Sequence, residues 1–216
     1  MSRAKGTRID LTSSLEDGAV ARLVQRRRSI KSYRSVPVDV AQLTRLLSTT
    51  VGHGASRPYG SAHARYDIVV TVVAGAVDGL ASGVYRYLPV EHALVSVESG
   101  DYRARLARAT LDANWLAGCP VVLLLSADFG AANTAFVTQM SGRGERFCWF
   151  EAGLIAQNVY LWVTENALGT VFLGGIDSVQ AQAVTQRLIP QGHTVLGLLP
   201  VGYPNDRSVS DTPGAQ

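Results

Sequence analysis

Three short segments carry residue types able to do chemistry. Arg26-Arg27-Arg28-Ser29-Ile30-Lys31-Ser32-Tyr33 gathers three guanidiniums, a hydroxyl and an ammonium within six positions. That is a dense donor set for a phosphate. On a helix Arg27 and Lys31 would share a face; an extended exit at Ser29 would instead fan them around one oxyanion. Taken by itself, the run is more simply a solvated basic helix end, favoured by the helix dipole. Arg57-Pro58-Tyr59-Gly60-Ser61-Ala62 is a small-residue loop ahead of an apolar run, where backbone amides and Ser61 can approach a planar or phosphorylated ligand. Leu173-Gly174-Gly175-Ile176-Asp177 puts two glycines before a helix start, exposing N–H groups where the helix adds partial positive charge. Taken singly, the last two segments also fit ordinary connecting turns.

The elements that must position these segments follow from periodicity and punctuation. Ser13 and Glu16 fit a capping box that opens a helix through Ala19, Leu23 and Val24 to the arginines. A second helix starts near Asp39, with Leu43, Leu46, Leu47 and Val51 on one face. Residues 52–62 form a loop. Residues 66–73 (YDIVVTVV) and 120–126 (PVVLLLS) are continuous apolar runs suited to strands covered on both faces. Shorter strands are predicted at 84–88 and 94–97, a helix at 101–110, and a last strand at 195–201. Residues 146–168 hold the strongest helical pattern: Phe147, Phe150, Leu154, Ile155, Val159, Leu161, Trp162 and Leu168 cover more than one stripe, with Gly169 as the stop. Residues 171–173 then enter the sheet, and Asp177 or Ser178 caps a helix to Leu188. The order is not a βαβ alternation and no GxGxxG follows a strand, so a dinucleotide-binding Rossmann fold is disfavoured. An α+β mixed sheet packed by helices is expected. The domain reading is an arm and first helix over residues 1–25, then one domain over 26–216.

Composition narrows the partners. Up to Arg34 there are nine Lys/Arg against three acids, so the net charge of +3 is a +6 start on a −3 remainder. A basic patch on a near-neutral body suits one anionic group rather than a polyanion, and no nucleic-acid reader motif is present. No apolar run approaches the ~20 residues of a membrane span. The start lacks the apolar core of a signal peptide, which makes cytoplasm the expected compartment. Cys119 and Cys148 sit in apolar surroundings without CxxC spacing, as two buried free thiols. His53, His63, His92 and His193 lack metal-ligand spacing, so no metal is expected.

In order, RRRSIKSY, RPYGSA–YDIVV, GVYRYLP, ERFCWFEAGLIAQNVYLWVTENALG, FLGGID and LLPVGYP resemble the nitroreductase superfamily, over roughly residues 26–204. Within it they look most like the SagB-type dehydrogenases, which include flavin enzymes that oxidise azoline rings in modified peptides. The most specific part is Glu151, Gly153, Gln157 and Asn158, followed by the GGID turn. The resemblance implies an FMN-binding oxidoreductase working as an intertwined homodimer with FMN at the subunit interface. It implies that Arg27, Arg28, Ser29 and Lys31 hold the FMN phosphate, ribityl chain and pyrimidine edge. Ser61 then contacts the flavin, chiefly that of the partner subunit; Gly174 and Gly175 supply donors near N5; Arg207 reaches the phosphate. The substrate would be a small molecule or peptide, with partners from a peptide-modifying complex possible.

One departure stands out. Where the azoline dehydrogenases carry a Lys-Tyr pair thought to assist proton removal, this chain has Gln139 and Met140, neither of which is a base near neutral pH. Arg143, Glu145 and His63 are nearby substitutes, and no catalytic residue is assigned. Generic NAD(P)H-dependent nitro or flavin reduction, a non-catalytic scaffold that kept the dimer fold, and a flavin store or sensor are the competing readings.

Overall fold

The computed structural model describes residues 8–10, 18–176 and 178–205. Its organising element is β6 (Val121–Ala127), in which all seven residues are buried. A strand without alternation must be covered on both faces, and this one lies inside the sheet. The other strands are β1 (Val38–Asp39), β2 (Val69–Ala74), β3 (Val77–Asp78), β4 (Gly83–Leu88), β5 (Ala93–Ser99), β7 (Gly169–Thr170) and β8 (Thr194–Gly202). Six of them form one sheet in the order β5-β4-β2-β6-β8-β7, antiparallel at every pairing. Among the described residues, parallel pairing is confined to the two-residue β1–β3 ladder and a bridge between Ser29 and Thr170.

The helices are α1 (Ala19–Arg26), α2 (Val40–Thr50), α3 (Arg103–Arg108), α4 (Phe129–Ala135), α5 (Arg143–Glu165) and α6 (Ser178–Thr185). On one face of the sheet Val70, Val72, Leu123 and Leu125 meet Leu43, Leu46 and Leu47 of α2 and Cys148, Ile155, Val159 and Trp162 of α5. On the other face Val73, Val122, Leu124 and Leu198 meet Leu106, Leu116 and Leu188. Each fully buried leucine contributes about 1.5–3 kcal/mol of transfer free energy, so these layers drive the collapse.

Local signals set the element ends. Asp39 caps α2 by accepting from the Ala41 N–H at 2.6 Å, while Gln42 Oε1 accepts from the Asp39 N–H at 3.1 Å. Such a cap is worth about 1 kcal/mol. Gly169 is not the stop of α5. Asn166 caps that helix, and the left-handed residue after it is Ala167. Gly169 lies inside β7 instead, where a Cβ would come within 2.6 Å of Ile30 Cγ1. Helix α6 ends at Thr185 rather than Leu188. Helix α4 was not expected from the sequence; its start is fixed by Asp128, which accepts from the Ala131 N–H at 2.9 Å. Ser13, Glu16 and Asp177 lie outside the described residues.

Candidate active site

The long helix α5 is the ruler on which the predicted site residues are measured. Near its C-terminal end stands Tyr160. Its ring lies under the Arg27 guanidinium, 5.0 Å from the centroid. Its hydroxyl is 3.2 Å from Ser29 Oγ and accepts from the Phe172 N–H at 2.9 Å. Downstream of α1 the chain runs extended beside β7, with the Ile30 N–H donating to Thr170 O at 2.9 Å. Alternation follows: Ile30 is buried, whereas Ser29 and Lys31 face outward. This strap therefore runs parallel to the chain that leads through Phe172 into Gly174 and Gly175.

Arg28 is placed differently. Its Nη1 donates back to Gln25 O at 2.7 Å and Arg27 O at 2.9 Å, satisfying carbonyls at the end of α1. Gly174 and Gly175 are exposed, and a Cβ at Gly174 would meet nothing within 4 Å. Neither has a positive φ. What their missing side chains provide is room. Both carbonyls are taken, Gly174 O by the Ile176 N–H at 3.0 Å and Gly175 O by the Leu111 N–H at 3.2 Å. The edge this turn presents to a ligand is accordingly a donor edge. Arg207 lies outside the described residues.

Ser61 is elsewhere. Its hydroxyl donates to Glu151 Oε1 at 2.6 Å and accepts from the Tyr66 N–H at 2.7 Å. Glu151 and Tyr160 are nine residues apart on α5, roughly 13 Å along its axis. Asn158 Nδ2 donates to Pro58 O at 3.0 Å, so the 58–61 loop lies along the Glu151–Asn158 face. Just beyond it His63, Ala64 and Tyr66 all adopt φ between 53° and 54°. A non-glycine residue costs about 1–2 kcal/mol in that region, so this loop is held against strain. Within one chain Arg27 and Ser29 thus gather at Tyr160 with Thr170 and Phe172, on the stretch that leads to the Gly174–Gly175 turn, and Ser61 stands apart from them.

A cavity of about 970 Å³ opens beside Gly174, between α6, the start of β8 and Trp149. Its lining includes Gln182, Gln186, Gln191, Arg187 and His193. His193 Nδ1 lies 3.3 Å from Ser126 Oγ, and burial pulls its pKa below the usual histidine value. The sequence marks neither Trp149 nor Tyr160, and it names His193 only among the histidines without metal-ligand spacing. A lone histidine after a turn and a tyrosine inside an apolar helix carry no spacing signal. Of the proposed substitutes for a base, Glu145 Oε1 accepts from Trp149 Nε1 at 3.4 Å, Arg143 Nη1 donates to Gln139 Oε1 at 2.7 Å, and His63 packs edge-on against Phe136. Cys119 and Cys148 are both buried free thiols, and burial pushes each up to about 12. Among the described residues no group of three or more His, Cys, Asp or Glu could hold a metal ion, and no helix is long and apolar enough to cross a membrane.

The nitroreductase family model matches residues 24–203. A protein of Methanocaldococcus jannaschii, named only provisionally as a nitroreductase, is 35% identical over 153 residues, covering 69% of this chain and 75% of its own. The chain belongs to the nitroreductase family. That is a family of FMN-dependent oxidoreductases, and solved structures show the same fold. The E. coli microcin synthetase McbBCD complex with truncated pro-MccB17 bound matches with a TM-score of 0.76 at 21% identity, over 94% of this chain and 76% of that one. A provisionally named nitroreductase of Desulfovibrio desulfuricans in complex with FMN matches with a TM-score of 0.63 at 19% identity, over 92% and 94%. One from Anabaena variabilis gives a TM-score of 0.73 at 22% identity; this chain covers 38% of that protein, and 86% of this chain is matched.

The residues present fit the nitroreductase cofactor. A guanidinium, a hydroxyl and an ammonium line one outward strap, and the adjoining Gly174 turn is open where a flat ring would have to approach.

Proposed function

We propose that this nitroreductase-family chain binds FMN as a homodimer and dehydrogenates a peptide-derived or other natural-product substrate. The observation that carries the cofactor site is the parallel run of the Ser29–Lys31 strap beside the chain leading to Gly174. Arg27, Arg28, Ser29, Lys31 and Arg207 would hold the phosphate, ribityl chain and pyrimidine edge, and Gly174 and Gly175 the edge near N5. Ser61 would reach the partner subunit's cofactor, which explains its distance from the strap. The FMN supplies a two-electron hydride acceptor or donor. A second copy is favoured by the outer face of α5: Phe150 is 65% exposed and Leu154 45%, with Gly153 and Gln157 on the same side.

For the substrate, the cavity beside Gly174 is large enough for a drug-sized or short peptide ligand. Its glutamines offer both donors and acceptors to amide groups. Neutral His193 in its wall can accept a proton, a role that Gln139 and Met140 cannot fill. The likeness to the microcin synthetase complex agrees with a place in a peptide-modifying assembly. A second reading, NAD(P)H-dependent nitro or flavin reduction, is favoured by Gln139 itself. Its carboxamide is tied to Arg143, and reduction of such acceptors can draw its protons from solvent. A cofactor-free scaffold has no use for the cationic strap and open glycine turn.

The test begins with the visible spectrum of the purified protein, then heat release and chromatography of the chromophore. Released FMN is the expected result; a colourless protein that takes up no added FMN would sink the reading. Azoline-bearing peptide with oxygen, against NAD(P)H with a nitroaromatic, then separates the two activities.

A further inference from the structure

The sequence element that most marks the family contains a carboxylate whose work is visible only in the fold. Glu151 is 3% exposed in the middle of α5, and its Oε2 has no hydrogen-bond partner. Its Oε1 accepts a hydrogen bond from the Ser61 hydroxyl at 2.6 Å. A hydroxyl has one proton to give, so this contact turns the Ser61 lone pairs toward the Tyr66 N–H, which donates at 2.7 Å. The three groups form one relay, from the core helix through Ser61 to the end of the strained turn at His63, Ala64 and Tyr66. Asn158 pins the other end of the loop at Pro58 O, and the Arg65–Asp67 ion pair at 2.9 Å closes it on the solvent side.

We propose that Glu151 is the positioning residue of the 58–66 loop, holding Ser61 at the place where it meets the partner subunit's FMN. The inference rests on the FMN reading above for what the loop touches, and on this chain's own geometry for how the loop is held. A buried carboxylate is an expensive brace. It is expected where a loop in a disfavoured conformation must keep one shape before its ligand arrives.

Four proteins test it: wild type, Glu151→Ala, Glu151→Gln and Ser61→Ala. Two quantities are measured, amide hydrogen exchange at Tyr66 and FMN affinity by equilibrium dialysis. The alanine variants should exchange the Tyr66 amide at least tenfold faster and bind FMN about tenfold more weakly. Glu151→Gln keeps an acceptor oxygen for Ser61 and should restore both, and Ser61→Ala, which leaves the Glu151 side chain filling its space, separates the hydrogen bond from mere packing. Unchanged Tyr66 exchange in both alanine variants would overturn the brace. Faster exchange with unchanged FMN affinity would overturn the link to the cofactor while leaving FMN binding itself intact. Should Glu151→Ala not fold, Ser61→Ala carries the same comparison from a half-buried position. A wild type that takes up no FMN would instead defeat the functional reading, and the exchange arm would still judge the brace.

Discussion

Two stretches of α5, its middle around Glu151 and its C-terminal part around Tyr160, hold their neighbours by opposite means. Around Tyr160 the strap rests on partly exposed contacts: a guanidinium over a ring, a 3.2 Å hydroxyl pair, and main-chain pairing through Ile30. Around Glu151 the loop is tied by a buried carboxylate and carries backbone strain. The first stretch has cationic donors and open space, so a ligand's own charge would complete it. In the second, the loop's own ties, from Glu151 Oε1 through Ser61 to Tyr66, are already made within the chain. A cofactor shared between subunits would thus meet an unfinished, cationic wall from one protomer and a wall with its ties already made from its partner.

Breaking the cationic stretch should have the largest effect. Arg27→Ala combined with Ser29→Ala removes the guanidinium and the hydroxyl, each charge-assisted contact being worth about 1.5–3 kcal/mol. FMN affinity should fall on the order of a hundredfold or more, with the far-ultraviolet circular dichroism unchanged. Unaltered affinity, measured by fluorescence quenching of added FMN, would mean the phosphate lies elsewhere. Next comes Gly169→Ala, whose Cβ would stand 2.6 Å from Ile30 Cγ1 and lever the strap off β7. Overpacking of this kind costs about 1–3 kcal/mol. Thermal unfolding should show a lower midpoint together with lower FMN occupancy. A variant as stable as wild type would show that the strap can shift freely.

Tyr160→Phe asks a finer question, because it keeps the ring under Arg27 and deletes only the hydroxyl. Ser29 and the Phe172 N–H both lose a partner, at about 0.5–1.5 kcal/mol for each bond. FMN binding should weaken several-fold while Tyr66 amide exchange stays at its wild-type rate. An effect on that exchange would break the comparison, since it would couple two stretches that share no contact.

How much of this was legible depends on the kind of signal. Periodicity and caps placed α2 at Asp39, β2 and β6 as buried runs, and most of α5. Helix α4 escaped because a seven-residue, alanine-rich segment carries no apolar stripe. The Gly169 reading failed because glycine serves two purposes: it was expected as a left-handed stop, yet it is needed for close approach to Ile30, and Ala167 takes the strained position. In the candidate site, Arg27, Ser29, Gly174 and Gly175 could be named from residue type, and the fold joins the first two, through Tyr160, to the stretch that leads to the glycines. Tyr160 and His193 could not, because a polar tip inside an apolar pattern reveals its direction only after packing. Glu151 was part of the recognised motif, but its hold on Ser61 joins residues ninety positions apart.

The smallest effect expected is a dependence on pH confined to the braced stretch. Burial raises the Glu151 pKa above its ordinary value of 4.5; the Ser61 hydroxyl and the backbone N–H groups of Ala62 and Asp67 oppose the shift, and the Asp67 charge reinforces it. The groups around it are Asp67, Arg65, Tyr59 and Cys148. Because the folded carboxyl keeps its proton to higher pH than the unfolded one, its contribution is fully present below the unfolded pKa. That contribution is lost as pH rises through the folded value. Acidifying from neutrality into that window should therefore raise the wild-type midpoint slightly, by at most a few degrees. Glu151→Gln imitates the protonated group at every pH, so its profile should be flatter and lie at or above wild type near pH 7. Parallel profiles for the two proteins would show that the Glu151 carboxyl titrates alike in the folded and unfolded chain, so that its burial does not raise its pKa.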